Sequence, residues 1–415
     1  MHILLVADGR SPITHKWIQG LVALNHEVTL VSSFPCPPHA ETLDTYVMPV
    51  AFAGLAGSQA GGGGAVEKPS RLKPLVARWR GHFQSARYWL GPATLPFWGL
   101  RFRGLVRDLQ PDLIHALRIP FESMLASFAP AGIPLVVSTW GNDLTLHSYG
   151  SSWMQFYTRR TLRRADGLLS DTRRDLRLAQ QWGFAAERPG LVVPGSGGID
   201  LVEIHRRRSQ PDEVALDGLP PQAPLVLNPR GFRPGSVRND IFFAAIPLVL
   251  ERRPEVYFVC PAMAGQEEAW GWINRYKIHK NVRLLPHLSQ LQLWKLFLRA
   301  QVTVSLSEHD GTPNSLLEAM ALGCFPICGD IESLREWIHP GVNGLLVEPT
   351  KPQALAEAIL LALEQAELRN EAAAINSEII RQRAEVSLIR SQVQVFYDRL
   401  TAAAMENEVE AGEKD

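Results

Sequence analysis

Short apolar runs bounded by turn formers recur along this chain, and between them lie longer stretches whose apolar positions repeat every three or four residues. The first run, 2–7, ends at Asp8-Gly9; the next segment places Ile18, Leu21 and Val22 on one helical face, and 26–33 is apolar again. That order of strand, helix and strand predicts a βαβ opening. Runs at 113–116, 135–138, 167–170 and 191–193 predict further strands, separated by helix-length segments such as 153–165. Unbroken apolar strands with helices between them predict a parallel sheet covered on both faces.

The rhythm stops at 209–224, where Pro211, Pro220, Pro221 and Pro224 interrupt a stretch without periodicity, which reads as a linker. It then restarts, with strands expected at 225–228, 256–260, 282–285, 302–306, 325–328 and 345–347 and helices at 241–250, 288–300 and 355–363. The expected fold class is α/β, two Rossmann-like doubly wound domains over 1–208 and 225–383, facing a cleft. Ligands of such folds gather at the carboxyl ends of strands. A helix over 384–402 is expected to return to the first domain, leaving 403–415 as an acidic, unstructured tail. The Gly- and Ala-rich stretch 53–66 has neither a preceding strand nor phosphate-loop spacing and reads as a flexible loop.

Composition narrows the picture modestly. A chain of 415 residues is too long for one core, which agrees with two domains. Its 42 Lys and Arg balance 42 Asp and Glu, so the overall charge calls for no nucleic acid partner. Cys36, Cys260, Cys324 and Cys328 lack zinc-ligand spacing, and buried, reduced thiols are expected. No uncharged run approaches the ~18–20 residues that span a bilayer, and MHILLVADGR lacks a signal peptide's basic flank and length. The expected location is the cytoplasm, with the inner membrane face as a peripheral alternative.

That alternative comes from 68–107, which contains no acidic residue. There Lys68, Arg71, Lys73, Arg78, Arg80, Arg87, Arg101, Arg103 and Arg107 alternate with Trp79, Phe83, Tyr88, Trp89, Phe97 and Trp98. Basic side chains attract anionic headgroups and aromatic rings favour the interface, so an anionic membrane surface is one candidate partner. A solvated helix whose aromatics complete the core is the other reading.

The densest chemistry lies in 302–349: an apolar strand, a turn carrying Asp310-Gly311-Thr312-Pro313, a helix opening at Asn314 or Ser315, and a second strand. Asp310 sits at the mouth of that turn and Glu318 in the helix's early turns, where free backbone N–H groups and the helix dipole favour an anion. In the same half, Arg230, Arg233 and Arg238 follow the 225–228 strand and precede a helix start. Fixed guanidiniums at a strand's carboxyl end can grip a diphosphate bidentately, although a solvated basic turn would look the same. Taken singly, Asp310 reads equally as a helix cap and Glu318 as a solvated carboxylate.

Asp310-x7-Glu318 followed by Ala319-Met320, together with the ending GVNGLLVEP at 341–349, resembles the retaining nucleotide-sugar glycosyltransferases of the GT-B fold, family four, or group 1 type. The chain departs from the commonest form of the family in having Asp where the first Glu usually stands. In the first half, Pro111-Asp112-Leu113-Ile114-His115 and Gly198-Ile199-Asp200 match the family loosely, and Trp140 stands where a His is frequent.

The resemblance implies that the second domain holds a nucleotide-diphosphate sugar donor and the first an acceptor glycan, glycolipid or small molecule. Glu318 would receive the ribose hydroxyls, Asp310 would bind the transferred sugar, and Arg230 with Arg238 would neutralise the diphosphate, with Arg233 a possible substitute for Arg238. Gly311, Thr312, Asn314, Ser315 and Leu316 would line the donor, and the amides of Ser315 and Leu316 would meet the phosphates. His15, Trp140 and Asp143 would stand on the acceptor side. Retention of configuration is implied, and neither a cofactor nor a metal is expected; the chain has no Asp-x-Asp. Two alternatives stay open: a sugar-nucleotide epimerase or hydrolase on the same fold, and a non-catalytic subunit that binds the nucleotide sugar. Donor hydrolysis and transfer assays with a panel of acceptors separate them.

Overall fold

The computed structural model describes residues 1–55, 86–208 and 219–412. Two compact units result: residues 1–197 with the segment from Ile389 onward, and residues 198–388. The division falls ahead of the expected 208/209 boundary because the helix Leu201–Arg208 buries Ile204 among Leu225, Leu227, Trp294 and Phe297 of the second unit. Of the expected linker, 209–218 lies outside the described residues; beyond it, Ala223 is already buried and Leu219 packs on the same cluster.

The first unit is built on a parallel sheet. Its strands are β1 (His2–Ala7), β2 (Glu27–Ser32), β3 (Asp44–Val47), β4 (Leu113–Leu117), β5 (Leu135–Thr139), β6 (Gly167–Ser170) and β7 (Gly190–Val192), in the order β3-β2-β1-β4-β5-β6-β7. β3, with two polar residues among four, is too short to show as an apolar run. Both faces are covered. On one, Leu4, Val6, Ile114 and Val137 meet Phe102, Val106 and Leu162; on the other, Ile3, Leu5 and Val136 meet Trp17, Ile18 and Leu21. Val22, expected on that helical face, is exposed instead.

The helix Val386–Gly412 completes the second face by burying Ile389, Val393, Phe396, Tyr397 and Leu400, spaced by three or four residues, beside β1 and β4. Fully burying each such side chain contributes roughly 1.5–3 kcal/mol. A Cβ on Gly167 of β6 would fall 2.6 Å from the end of the Leu400 side chain, so a larger residue there would have to displace Leu400 and Phe396. The same helix continues through 403–412, where an unstructured tail was expected. Its polar run is a continuation of helix rather than a separate element.

The second unit carries β8 (Leu225–Leu227), β9 (Tyr257–Cys260), β10 (Val282–Leu284), β11 (Val302–Ser305), β12 (Phe325–Gly329) and β13 (Leu345–Val347), in the order β10-β9-β8-β11-β12-β13. All described pairings within the two sheets are parallel. In each sheet the strand order reverses beside the unit's first strand, between β1 and β4 and between β8 and β11. Doubly wound sheets bind ligands at that switch point, outside the strands' carboxyl ends. Cys260, Cys324 and Cys328 are buried free thiols, and burial pushes Cys328 up to about 12.

Candidate active site

At the second unit's switch point the loops after β8 and β11 are fastened together before any ligand enters. Val237 bridges Ser307, Arg238 N–H donates to the Leu306 carbonyl (2.8 Å), and the Ser236 hydroxyl donates to the His309 carbonyl (2.6 Å). β12 closes in beside them: a Cβ on Gly329 would stand 2.3 Å from the Ser307 carbonyl oxygen, so no other residue fits. These contacts hold Asp310 still. Its carboxylate accepts from Arg230 Nη2 at 2.5 Å and from the Ser307 hydroxyl at 2.9 Å, and its carbonyl accepts from the Ser333 hydroxyl at 2.8 Å. Arg230 and Asp310 form an ion pair that is 8% and 14% exposed, a burial at which losing one partner is costly.

The three arginines of the β8 loop have different surroundings. Arg233 donates from Nε to the Arg230 carbonyl at 3.1 Å, and the like charge of Arg230 lowers its pKa to about 10. It is therefore still cationic at neutral pH, in a place where a second positive charge raises its energy. Arg238 is committed elsewhere. Its guanidinium grips Asp240 through Nε (2.9 Å) and Nη2 (2.7 Å), and donates from Nη1 to Glu308 at 2.8 Å. Those two carboxylates hold its pKa above the ordinary arginine range. Arg238, expected as the second phosphate ligand, is thus occupied by two carboxylates here, whereas Arg233, the expected substitute, is the guanidinium found beside Arg230.

The helix Asn314–Ala321 opens on Pro313 without a side-chain cap, directly after Gly311 and Thr312, which are buried; Thr312 Oγ1 is anchored by Trp337 Nε1 at 3.0 Å. The Leu316 amide, expected to face phosphate, is taken by the Pro313 carbonyl at 3.0 Å. Proline, lacking an N–H but keeping its carbonyl, tightens this first turn. Three buried polar atoms at the same place have no hydrogen-bond partner: Arg230 Nε, Asn314 Oδ1 and Ser315 Oγ. Each such atom costs about 1–3 kcal/mol, which a ligand able to bond it would return. Glu318 is buried one turn further on and accepts from Gln290 Nε2 at 2.9 Å. Gln290 opens the helix Gln290–Arg299 and carries no signal in the linear sequence, since it approaches Glu318 only through folding.

The first unit's switch point is a different kind of place. A cavity of about 520 Å³ opens there, lined from the β1 loop by Asp8, Ser11 and Thr14, from the β4 loop by Arg118, Phe121 and Glu122, and by Phe34, Arg87, Tyr88, Trp140 and His147. Trp140, expected on the acceptor side, is among the residues that line it. Asp143, although expected on the acceptor side, is fully buried behind the cavity and serves as a bracket, accepting from Arg118 Nη2 (3.1 Å), Ile119 N–H (2.9 Å) and Trp140 N–H (3.1 Å). His15 lies outside the lining as well: it is exposed, bonded to the Gly9 carbonyl at 2.9 Å and edge-on to His39. His115 of the Pro111-to-His115 segment points into the core, between Ser138 Oγ (2.8 Å) and Tyr397 OH (2.7 Å), and burial lowers its pKa to about 3.

Arg118, Glu122 and Asp8 are the charged residues that sequence reasoning passed over. Arg118 and Glu122 follow β4 at the switch point, and their position directly after a buried strand was the available signal. Arg118 has φ 102° and Phe121 φ 71°, the latter within a kinked turn, Ile119–Ser123, that follows directly. Positive φ in bulky residues is strained, and such strain persists where surrounding structure enforces it, often at functional sites. Glu122 accepts from the Ser33 hydroxyl at 2.5 Å, and its burial raises its pKa against the opposing pull of Arg118. Among the described residues no cluster of three His, Cys, Asp or Glu side chains could hold a metal ion, and no helix is long and apolar enough to cross a membrane.

Two family models match the chain and together span most of it: Glycosyl transferase 4-like domain over residues 8–195 and Glycosyl transferases group 1 over residues 240–377. A phosphatidyl-myo-inositol mannosyltransferase of Mycolicibacterium smegmatis is 24% identical over 393 residues, 92% of this chain and 88% of that one. The mannosyltransferase of the same name from Mycobacterium tuberculosis is 24% identical over 240 residues, and that match covers 56% of this chain and only 60% of the relative. Among solved structures, Anabaena Alr3699/HepE in complex with UDP-glucose superposes with a TM-score of 0.65 at 18% identity, over 97% of this chain and 100% of that one. Sucrose-phosphate synthase from Thermosynechococcus elongatus gives 0.67 at 16% identity, with the same coverage.

Proposed function

Because the chain belongs to the group 1 glycosyl transferases and has their GT-B fold, we propose that it moves a sugar from a nucleoside diphosphate to an acceptor hydroxyl with retention of configuration. The observation that carries this reading is the Arg230–Asp310 ion pair beside an uncapped helix start. A diphosphate placed there meets Arg230, Arg233 and the Ser315 amide, and the charge that grows on it as the glycosidic bond breaks is stabilised by donors already in position. Guanidiniums supply the positive charge that a divalent cation supplies elsewhere, so the reading needs no metal. Asp310, fixed by Arg230 and Ser307, takes hydroxyls of the transferred sugar, and Glu318, one turn along the helix, takes those of the ribose. The complexes of Alr3699/HepE with UDP and UDP-glucose support this class of donor.

The relatives named for phosphatidyl-myo-inositol support a glycolipid acceptor, and the surface of the first unit suits one. The helix Leu95–Leu109 buries Leu95, Phe102 and Val106, and turns Phe97, Leu100, Arg101, Arg103 and Arg107 outward. Arg101 stacks on Phe97 at 4.4 Å, and Trp89 and Leu90 are exposed just ahead of the helix. Apolar rings interleaved with guanidiniums suit the headgroup layer of an anionic membrane, where each basic residue contributes about 1 kcal/mol. The stretch 68–85, which was expected to share this role, lies outside the described residues.

Glu318→Ala tests the donor assignment. Charge-assisted hydrogen bonds contribute about 1.5–3 kcal/mol each, so calorimetric affinity for a sugar nucleotide should fall on the order of 10- to 100-fold. Unchanged affinity in a folded variant removes Glu318, and with it the assignment of the donor to this helix.

A further inference from the structure

Glu318 is 4% exposed, and a side chain from another element holds its carboxylate: Gln290 Nε2 donates to Glu318 Oε1 at 2.9 Å. Gln290 is the first residue of the helix Gln290–Arg299, where a capping box fixes the backbone. The Ser289 hydroxyl accepts from the Gln292 N–H at 3.2 Å, and the Gln292 side chain accepts from the Ser289 N–H at 3.0 Å. Further along, Trp294, Leu296 and Phe297 share one buried cluster with Leu316, Leu317 and Met320 of the helix Asn314–Ala321. Packing therefore sets the distance between the two helices, and Gln290 reaches Glu318 from a fixed base. Gln290 itself is exposed. An exposed side chain loses rotamer freedom in making such a bond, and what the fold gains is a defined orientation at the buried end.

A glutamate carboxylate turns about a terminal torsion that is broad and roughly two-fold, so packing of the stem leaves the plane of its oxygens loosely set. A donor bonded to one oxygen removes that freedom. Each carboxylate oxygen has two lone pairs, so Oε1 can hold the Gln290 amide and still accept a hydroxyl. A pair of hydroxyls on neighbouring carbons is taken by both oxygens only when the carboxylate plane matches theirs. The ribose of a nucleotide presents such a pair, and a 2′-deoxyribose presents a single hydroxyl. We propose that Gln290 is a positioning residue of the donor site: by holding Glu318 Oε1 it sets the carboxylate for the paired hydroxyls of the ribose, and so makes the site choose a ribonucleotide over its 2′-deoxy counterpart. Gln290 acts through Glu318 and not on the reacting atoms, so nucleotide binding is the step that responds. The proposal rests on the donor half of the glycosyl transfer reading and is independent of the acceptor.

The test is calorimetric binding of UDP, GDP and their 2′-deoxy counterparts to the full chain. The unaltered chain is expected to bind a ribonucleotide about tenfold or more tightly than its 2′-deoxy form, the effect of one bond to a charged acceptor. Gln290→Ala should weaken the ribonucleotide about 5- to 10-fold and leave the 2′-deoxy form within about twofold, so that the preference collapses. Gln290→Glu, of nearly the same shape, sets two carboxyl groups side by side. The preference should be lost near pH 8, where their like charges part them, and return toward about pH 6 as the pair takes up a shared proton, a profile that Gln290→Ala lacks. Thermal unfolding of each variant reports its fold. An unchanged preference in Gln290→Ala overturns the proposal, whether or not its thermal midpoint falls, as do equal losses for both forms or a Gln290→Glu preference indifferent to pH. If Glu318→Ala weakens the nucleotide and Gln290→Ala does not, the proposal alone falls. Failure of the unaltered chain to bind either ribonucleotide, or indifference to Glu318→Ala, removes the donor reading and the proposal with it.

Discussion

Two segments of this molecule resemble one family, one closely and one loosely, and do opposite things in the fold. In the second unit, Asp310-x7-Glu318 brings its acidic residues to a switch point, each held by a partner from another element, Arg230 after β8 and Gln290 on the helix Gln290–Arg299. In the first unit, the segment ending in His115 runs through β4 and delivers its histidine to the core, against Ser138 and Tyr397. The residues that line the first cavity, Arg118 and Glu122, come three and seven positions later, in a strained turn. A motif therefore marks where the backbone must go, and whether its side chains meet a ligand or the core depends on the face they occupy. In a parallel sheet buried on both faces, strand residues stay inside and the loop that follows carries the chemistry.

The contrast breaks most readily at the β8 loop. Arg230→Gln removes the guanidinium that fixes Asp310 and that the proposed function sets against the diphosphate, and kcat for donor turnover should fall about 10²- to 10³-fold, the usual cost of losing a transition-state donor. Arg233→Ala should lower it about tenfold, because this side chain shares the field of Arg230 but holds no carboxylate of its own in place. Arg238→Ala should cost less than threefold, since its charge is spent on Asp240 and Glu308. Reversal of the last two would return Arg238 to the diphosphate and require its carboxylates to release it on binding.

Most of the architecture was legible because apolar runs in a doubly wound sheet are continuous and separated by helices with a 3.6-residue repeat; every expected strand from 2–7 to 345–347 has a counterpart within a residue or two. The strand missed, β3, is half polar, and the misplaced boundary follows from the tertiary packing of Ile204, which no local pattern encodes. The placement of the candidate residues was legible as far as composition and spacing extend: Arg230 contacts Asp310, and the helix starts at Asn314. What could not be read was partnership. Nothing near Arg238 in the sequence shows that Glu308, 70 positions away, will claim it, nor that Leu316's amide is already satisfied by Pro313. The cavity of the first unit was illegible for the same reason, since its walls include residues that follow β1, β2, β4 and β5.

The surfaces of the two units sharpen the comparison further. If the outward face of the helix Leu95–Leu109 meets lipid, replacing Phe97 and Leu100 by Asp removes two exposed apolar side chains and adds two negative charges among Arg101, Arg103 and Arg107. The fraction of protein that floats with anionic vesicles should fall about tenfold or more, by the sum of lost apolar burial and reduced attraction. Neutral vesicles should bind less of the unaltered chain from the start. Equal flotation of the variant and the unaltered chain would leave the face as ordinary solvent surface and the acceptor without a membrane address.

The smallest effect tests whether the first unit's motif really serves packing. Tyr397→Phe deletes one hydroxyl, the hydrogen bond to His115 Nδ1 at 2.7 Å, in a place where both side chains are fully buried. Stranding a buried imidazole nitrogen costs about 1–3 kcal/mol, roughly 2–4 °C of thermal midpoint per kcal/mol for a unit of this size. The pH dependence has a definite sign. His115 is neutral when folded because burial lowers its pKa to about 3, whereas unfolded it takes a proton below about 6.5. Its contribution to stability is therefore present above pH 6.5 and is lost as the pH falls toward 3, on the order of 4–5 kcal/mol in all. Calorimetry of the Tyr397→Phe chain should show a lowered midpoint at pH 7 with sugar-nucleotide affinity unchanged. A variant that keeps its midpoint and loses donor affinity would mean that His115 belongs to the chemistry after all, and that the two motifs act alike.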